Sequence, residues 1–420
     1  MQAPVFPSPT ADPKRFLRRF ILFGAILLSG GNLLIPRIPL ALLILALGAL
    51  FFGFLSAKVS KSKMSVYLWL ALVMLFAFVR IQEIDLLANV TRGVNFMIGL
   101  LLLKIYWSEN RIRLESDLLF LLLPMAFQCI ATFAISYFAP GLFTLIQSDR
   151  QLLYTLIGVF NFSVPLATQG SFMRPMGFFW EPGVFQLYLN VLLFLLFARQ
   201  AKWHWILATV AAIFLTQSTT GIATASIQTA YFSIVPIFTR GLSTRRLVML
   251  FVILVAIPVF YPSAEQNIAA KLTGDRSGST SARSYDLEVA VDILAEHPIV
   301  GIGFNDRAYL NYLKVNNTDT STLSDQDQNG RYNTNGVIVV LFSLGLPLGG
   351  VYLLSIFRQR LFDHRLIFGA ILLLSLLAEP LSFTPFFVLF AFNGLAFSPR
   401  IKYSLRPEAG GQRLAPADAV

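Results

Sequence analysis

Arg174 and Glu181 are the residues whose types and spacing most directly suggest chemistry. They stand seven positions apart in RPMGFFWEPGVFQLYLN, residues 174–190, with aromatic residues between them. A guanidinium group binds phosphate oxygens, and a carboxylate near a hydroxyl group can take its proton. One interpretation is that Arg174 binds a phosphate group of a ligand while Glu181 polarises a hydroxyl group. The other is a structural ion pair in which Glu181 caps a helix and pairs with Arg174.

The residues around Glu181 predict the backbone that holds it. Proline disfavours helical geometry in the residue before it, so Glu181 should be extended. Pro182 suits the first turn of a helix, and a hydrophobic run follows. Glu181 would then lie at a helix entrance, where N–H groups and the helix dipole favour an anion. Trp180 fits either stacking against a sugar or an aromatic belt at a membrane interface.

A second candidate segment is SARSYDLEVAVDILAEHPIVGIGFND, residues 281–306. Its apolar side chains recur at the spacing of one helical face, and Ser284 suits the N-cap. Arg283 would lie beside this helix N-terminus, where it could bind diphosphate oxygens or simply be solvated. Gly301 and Gly303 predict a tight turn after the helix. The proposed apolar face consists of Leu287, Ala290, Val291 and Leu294.

Further candidates lie at the ends of apolar segments. Arg92 falls inside one such segment, nearer the outer end, where it either has a function or extends its charge to the interface. Arg331, Asn333 and Asn335 lead into another apolar segment and are candidate substrate-binding residues, as are Arg92 and Trp180. Glu379 precedes a proline at the end of a third.

Composition indicates that most of these segments lie in a membrane. The 420 residues are 56% hydrophobic and 13% charged, whereas soluble domains carry about 25% charged residues. The apolar blocks approach the roughly 20 residues that cross a bilayer as a helix. We therefore expect an all-α polytopic membrane protein with about 12 transmembrane helices. The predicted spans are 20–35, 38–57, 65–80, 86–107, 117–138, 183–198, 203–216, 221–238, 247–262, 336–357, 365–378 and 384–398.

The basic residues predict the orientation of these spans. Most of the 33 Lys and Arg residues fall in segments on one side, so both termini are expected in the cytoplasm. The same distribution argues against nucleic-acid binding, despite the net charge of +11. Two long segments then face outward, and residues 151–162 of the first are amphipathic enough to lie along the membrane surface. The predicted divisions are a cytoplasmic tail 1–19, helices one to five 20–138, a periplasmic loop 139–182, helices six to nine 183–262, a large periplasmic loop 263–335, helices ten to twelve 336–398, and a cytoplasmic tail 399–420.

The spacing of the cysteine and histidine residues does not predict a metal site. Cys129 is the one cysteine and is expected to be a buried apolar residue. The three histidines, His204, His297 and His364, are far apart, so no cluster predicts a transition metal. The sequence therefore predicts no metal and no cofactor.

Three motifs resemble those of the Wzy-type polymerases of O-antigen and exopolysaccharide repeat units, within the group that includes the O-antigen ligases. They are RPMGFFWEPG (174–183), LTQSTTG (215–221) and RSY…HPIVGIGF (283–304), followed by GLPLGG in the next apolar segment. The resemblance implies a GT-C-like, metal-independent, inverting glycosyltransferase in the bacterial inner membrane. Its implied substrate is undecaprenyl-diphosphate-linked oligosaccharide, with membrane lipid around it and a chain-length regulator as a partner.

The resemblance also implies roles for particular residues. Arginines of both outer loops are essential in such relatives, which assigns catalytic roles to Arg174 and Arg283, with Glu181 as the candidate base. The ligases use a histidine late in the second outer loop, and this chain has none there. That departure favours a polymerase over a ligase. A transporter of lipid-linked sugars remains the alternative of another class, although the charged clusters lie in outer loops and not at the membrane midplane.

Overall fold

The computed structural model describes residues 13–32, 35–53, 63–79, 85–107, 112–147, 152–156, 160–163, 174–240, 277–315 and 335–396. Within those ranges the chain forms thirteen α-helices and one small sheet. The helices are α1 Pro13–Gly30, α2 Arg37–Phe52, α3 Met64–Val79, α4 Leu86–Trp107, α5 Ile112–Phe138, α6 Pro182–Ala198, α7 Trp203–Leu215, α8 Thr219–Arg240, α9 Ser277–Glu296, α10 Asp306–Val315, α11 Gly336–Arg358, α12 Arg365–Ala378 and α13 Pro385–Leu395.

Every predicted span except 247–262 overlaps one of these helices. That span and the tail 399–420 lie outside the described residues. By length and composition, three of the described helices could cross a membrane: α4, most of α5, and α11. Six shorter apolar helices accompany them. The prediction of a mainly helical chain built from apolar segments is confirmed.

A four-stranded antiparallel sheet corrects the all-α prediction. Its strands are β1 Thr144–Gln147, β2 Leu152–Leu156, β3 Phe160–Ser163 and β4 Arg174–Gly177, paired in chain order. Residues 151–162 were expected to form a single amphipathic surface segment, and β2 and β3 occupy most of it instead. In β2, Leu153 and Thr155 are buried while Tyr154 is half-exposed. This period-2 alternation is too short to stand out within so apolar a sequence.

The sheet positions the first candidate motif. β4 packs against α5 and α6, and its first residue is Arg174. Gly177 ends β4 with φ +57°, a conformation that side chains disfavour. Five residues later, at Pro182, the chain enters α6. The sheet and α6 therefore hold the two ends of the segment that carries Arg174 and Glu181.

Helix α11 is broken near its middle, at Gly345, where φ is 74° and ψ is 167°. The segment 298–303 pairs with the broken backbone: Leu346 N–H donates to Pro298 O at 2.8 Å, and Ile302 N–H donates to Phe342 O at 2.8 Å. Backbone groups without partners are costly in an apolar medium, so this pairing stabilises the break. Gly301 and Gly303 have φ of 66° and 72°, which confirms the predicted tight turn.

A buried ionic cluster joins α1, α4 and α5 at the end of the bundle opposite the sheet. Arg18 Nε donates to Asp117 Oδ2 at 2.6 Å, and Arg19 Nε donates to Asp117 Oδ1 at 2.8 Å. Tyr106 Oη also donates to Asp117 Oδ2, at 3.2 Å. The starts of α1 and α5 and the end of α4 therefore lie on one side, as alternating spans require.

Replacing Asp117 with asparagine is expected to destabilise the protein by about 3–5 kcal/mol, because two arginines lose the counter-charge at a buried site. The measurement is the unfolding midpoint in detergent. The matched control is Glu115→Gln, whose ion pair with Arg199 is partly exposed at 3.0 Å and should contribute about 1 kcal/mol or less. Equal losses in both variants would contradict the importance of burial here.

Candidate functional site

Arg174 meets the turn between α7 and α8. Its Nε donates to Thr216 O at 3.1 Å, and its Nη2 donates to Gln217 O at 3.4 Å. These carbonyls lie just beyond the C-terminal end of α7, where the helix dipole favours a cation. Gln217 has φ 50°, an uncommon value for a residue with a Cβ. Two of the three motifs, RPMGFFWEPG and LTQSTTG, are thus brought together, and the two carbonyls fix the direction of the guanidinium group.

The backbone predicted around Glu181 is confirmed. Glu181 has φ −151° and ψ 145°, and Pro182 occupies the first turn of α6. The Glu181 side chain makes no capping hydrogen bond to the helix. Glu181 is half-buried.

A second glutamate stands beside Glu181. Glu379 ends α12 and is 5% exposed. A Cβ added to Gly183 would overlap Glu379 Oε1 and would lie 3.6 Å from Glu181 Oε1. The two carboxylates are therefore neighbours at the N-terminus of α6. The sequence offered one signal for this pairing, because each glutamate precedes a proline at the end of an apolar segment, but it gave no sign that the two segments meet.

Buried amides fix α6 against α8 below the glutamates. Asn190 Nδ2 donates to Gln186 Oε1 at 2.8 Å and to Gly221 O at 3.2 Å, and Gln228 Nε2 donates to Asn190 Oδ1 at 2.8 Å. A side chain at Gly221 would collide with Gln186. The close approach holds the α7–α8 turn, and so Arg174, in a set position relative to α6.

The aromatic residues before Glu181 pack on the end of α1. Phe179 is buried, and its ring stacks on Tyr188 with centroids 4.7 Å apart. Asn32 Nδ2 donates to Phe178 O at 2.7 Å. Trp180 is half-buried beside Gly31. Its contacts show packing against the end of α1. Its role in stacking on a sugar stays a prediction.

Asn335 is the N-cap of α11. Its Oδ1 accepts hydrogen bonds from Val337 N–H at 3.0 Å and Ile338 N–H at 3.2 Å. Its role in binding substrate stays a prediction. Arg331 and Asn333 lie outside the described residues. The first residue of α11, Gly336, lies against Glu379 O and Ser382 Oγ, so α11 begins beside the glutamate pair.

Arg92, on α4, faces the start of α10. Its guanidinium carbon is 5.8 Å from the centre of the Phe383 ring. It also faces Asp306 at the start of α10, where burial raises the pKa of the carboxyl, Arg92 acts to lower that pKa, and Asp85 to raise it. Asn89 Nδ2 donates to Phe304 O at 3.1 Å nearby. These contacts attach residues 304–306, which lead into α10, to α4, and the substrate-binding role of Arg92 stays a prediction.

Arg283 lies well inside α9, which corrects its predicted position at a helix start. The helix begins at Ser277, six residues earlier, or about 9 Å along the axis. Ser284 is therefore not the N-cap, and the N-terminus cannot supply the diphosphate site proposed for Arg283. Only the backbone of Arg283 is described. Its convergence with Arg174 over one cavity stays a prediction.

The apolar face of α9 is also corrected. Leu287 and Val291 are 50% and 55% exposed. The buried face consists of Asp286, Val289, Ala290 and Ile293, packed with Ile302, Tyr309, Leu313 and Phe342. The buried Asp286 carboxylate accepts a hydrogen bond from Tyr309 Oη at 2.8 Å, which partly compensates for its loss of water. An acidic residue on the core side concealed this face in the sequence.

Comparison with known proteins supports the resemblance noted from the motifs. Residues 204–353 match the family Wzy_C, described as O-Antigen ligase. No curated protein matches the chain. The matched part includes the α7–α8 turn, α9, α10 and the break in α11, whereas Arg174, Glu181 and Glu379 lie outside it. The apolar helices and this match together indicate an integral membrane protein. Residues 204–353 are therefore similar to the Wzy_C family, whose members include O-antigen ligases and Wzy polymerases and transfer glycans.

Proposed function

We propose that the protein is a polysaccharide repeat-unit polymerase of the bacterial inner membrane. It would transfer a growing glycan from undecaprenyl diphosphate to a hydroxyl group of the next lipid-linked repeat unit, at the periplasmic face and with both termini in the cytoplasm. The supporting observation is the division of charge at the outer end of the bundle. Arg174 is held at the α7–α8 turn, and two carboxylates are held at the entrance of α6.

This division suits the two demands of glycosyl transfer. The acceptor oxygen attacks the anomeric carbon while Glu181 takes the hydroxyl proton, so a carboxylate must lie on the acceptor side. The bond between the anomeric carbon and the diphosphate oxygen breaks with inversion, and negative charge develops on the departing undecaprenyl diphosphate. Arg174 and Arg283 would stabilise that charge. The two carboxylates would repel a diphosphate placed against them, so the leaving group belongs on the Arg174 side.

The test is reconstitution of the purified protein in liposomes with lipid-linked repeat units. Formation of lipid-linked glycans longer than one unit supports the polymerase. Movement of the head group across the bilayer without a new glycosidic bond would instead show a transporter. The ligase is the second candidate, because the family description is O-Antigen ligase. Its signature would be transfer of finished polymer to an added lipid A core.

Arg283→Ala is expected to lower the rate of chain extension by about 100-fold, because a guanidinium that stabilises leaving-group charge would be lost. The measurement is the initial rate in the liposome assay. Arg307→Ala is the matched control, since Arg307 is exposed on the neighbouring helix α10. A wild-type rate in Arg283→Ala would remove this residue from the mechanism.

A further inference from the structure

We infer that Glu379 is a positioning residue for Glu181: its buried carboxylate lies beside that of Glu181 and makes Glu181 a stronger base than an isolated glutamate. This inference rests on the proposed function, because it assigns a partner to the proposed base. It adds a residue from the far end of the sequence, outside the three motifs and outside the segment that matches the family.

The burial of Glu379 is the first observation. Charged side chains are rarely buried unless something compensates for lost water. The backbone of Glu379 is fixed, because its N–H donates to Ser375 O at 2.9 Å and its carbonyl accepts from Leu381 N–H at 2.9 Å. The carboxylate meets the first turn of α6, whose N–H groups and dipole favour an anion.

The glycine at position 183 is the second, independent observation. Glycine lacks the Cβ that every other residue would place here. Here the missing Cβ is the space that Glu379 Oε1 occupies. The sequence EPG at residues 181–183 thus combines one glutamate with the gap that admits the other.

The proximity of two carboxylates has a chemical consequence. Like charges at one site disfavour ionising both groups, so the pair holds a proton to higher pH than a single glutamate does. A carboxylate that binds its proton more tightly is a better general base near neutral pH. Among the described residues, two cations also lie near this end of α6: Arg174, on β4, and Arg37, next to Trp180. Their charges favour the ionised form of Glu181, whereas the charge of Glu379 opposes it.

The test is the pH dependence of the maximal chain-extension rate for wild type and Glu379→Gln in liposomes. Removing one negative charge should move the acid limb to lower pH by about one unit and lower the rate at neutral pH. Glu379→Asp, which restores the charge, should move the limb back towards the wild-type position. Glu288→Gln is the control, because Glu288 is exposed on α9. A limb that stays in place in Glu379→Gln would overturn the inference and leave the polymerase intact, whereas an inactive wild type would overturn the polymerase itself.

A second measurement uses the wild-type protein alone, so it tests the inference even if the Glu379→Gln variant fails to fold. A diazo reagent esterifies protonated carboxyl groups, and mass spectrometry reads the product at each residue. In the wild-type protein, labelling of the Glu181–Glu379 pair should persist to higher pH than labelling of Glu288. Equal midpoints would overturn the inference.

Discussion

Replacing Arg174 with alanine is expected to lower the maximal rate of chain extension by about 100- to 1000-fold, the usual loss when one fixed donor to a developing negative charge is removed. The orientation of the guanidinium group by Thr216 O and Gln217 O is the physical reason, because donors held in place need no reorganisation as the diphosphate departs. The measurement is the initial rate in liposomes at saturating substrate.

Two further variants give the Arg174 experiment its controls. Arg174→Lys keeps the charge but loses the planar fork that two carbonyls orient, so it should recover only part of the rate. Arg365→Ala removes an exposed arginine at the start of α12, the opposite end of that helix from Glu379, and should leave the rate unchanged. If Arg174→Ala extended chains as fast as wild type, the leaving group would have to lie elsewhere.

Glu181→Gln should lower the maximal rate by about 100- to 10,000-fold, the range for loss of a general base. The change keeps the shape of the side chain, and the helix loses no cap because the Glu181 carboxylate makes no capping hydrogen bond. Substrate binding and the unfolding midpoint should therefore stay close to wild type while the rate falls. A variant that binds substrate poorly but turns it over normally would assign Glu181 to recognition and not to proton transfer.

The pair of glutamates adds a sharper form of this prediction. Residues that act as a unit give non-additive losses. Glu181→Gln combined with Glu379→Gln should be scarcely slower than Glu181→Gln alone, since Glu379 acts through a base that is already gone. Losses that multiply in the double variant would show two independent roles.

Local chemistry predicted much of the α6 entrance. The proline after Glu181 predicts an extended residue followed by a helix, and that is the observed backbone. The lengths of the apolar segments likewise located the helices, because a segment that crosses a bilayer is apolar over about 20 residues. The strands β1–β4 were missed because four or five alternating residues carry little signal in a chain already rich in apolar side chains.

Contacts between distant parts of the chain could not be predicted in this way. Glu379 approaches Glu181 only because α12 ends where α6 begins, and no local pattern records that meeting. The start of α9 was misplaced for a different reason. Ser284 has the chemistry of an N-cap, but the helix extends through it to Ser277. Propensity at one residue is a weak constraint when neighbouring turns continue the helix.

The break at Gly345 divides α11 into two helical parts. The part before the break shares backbone hydrogen bonds with segment 298–303 and packs with α9 and α10, so a displacement of that segment would also move this part of α11. This part of α11 begins at Gly336, which lies against Glu379 O. The backbone of Glu379 is therefore linked through this part of α11 to segment 298–303.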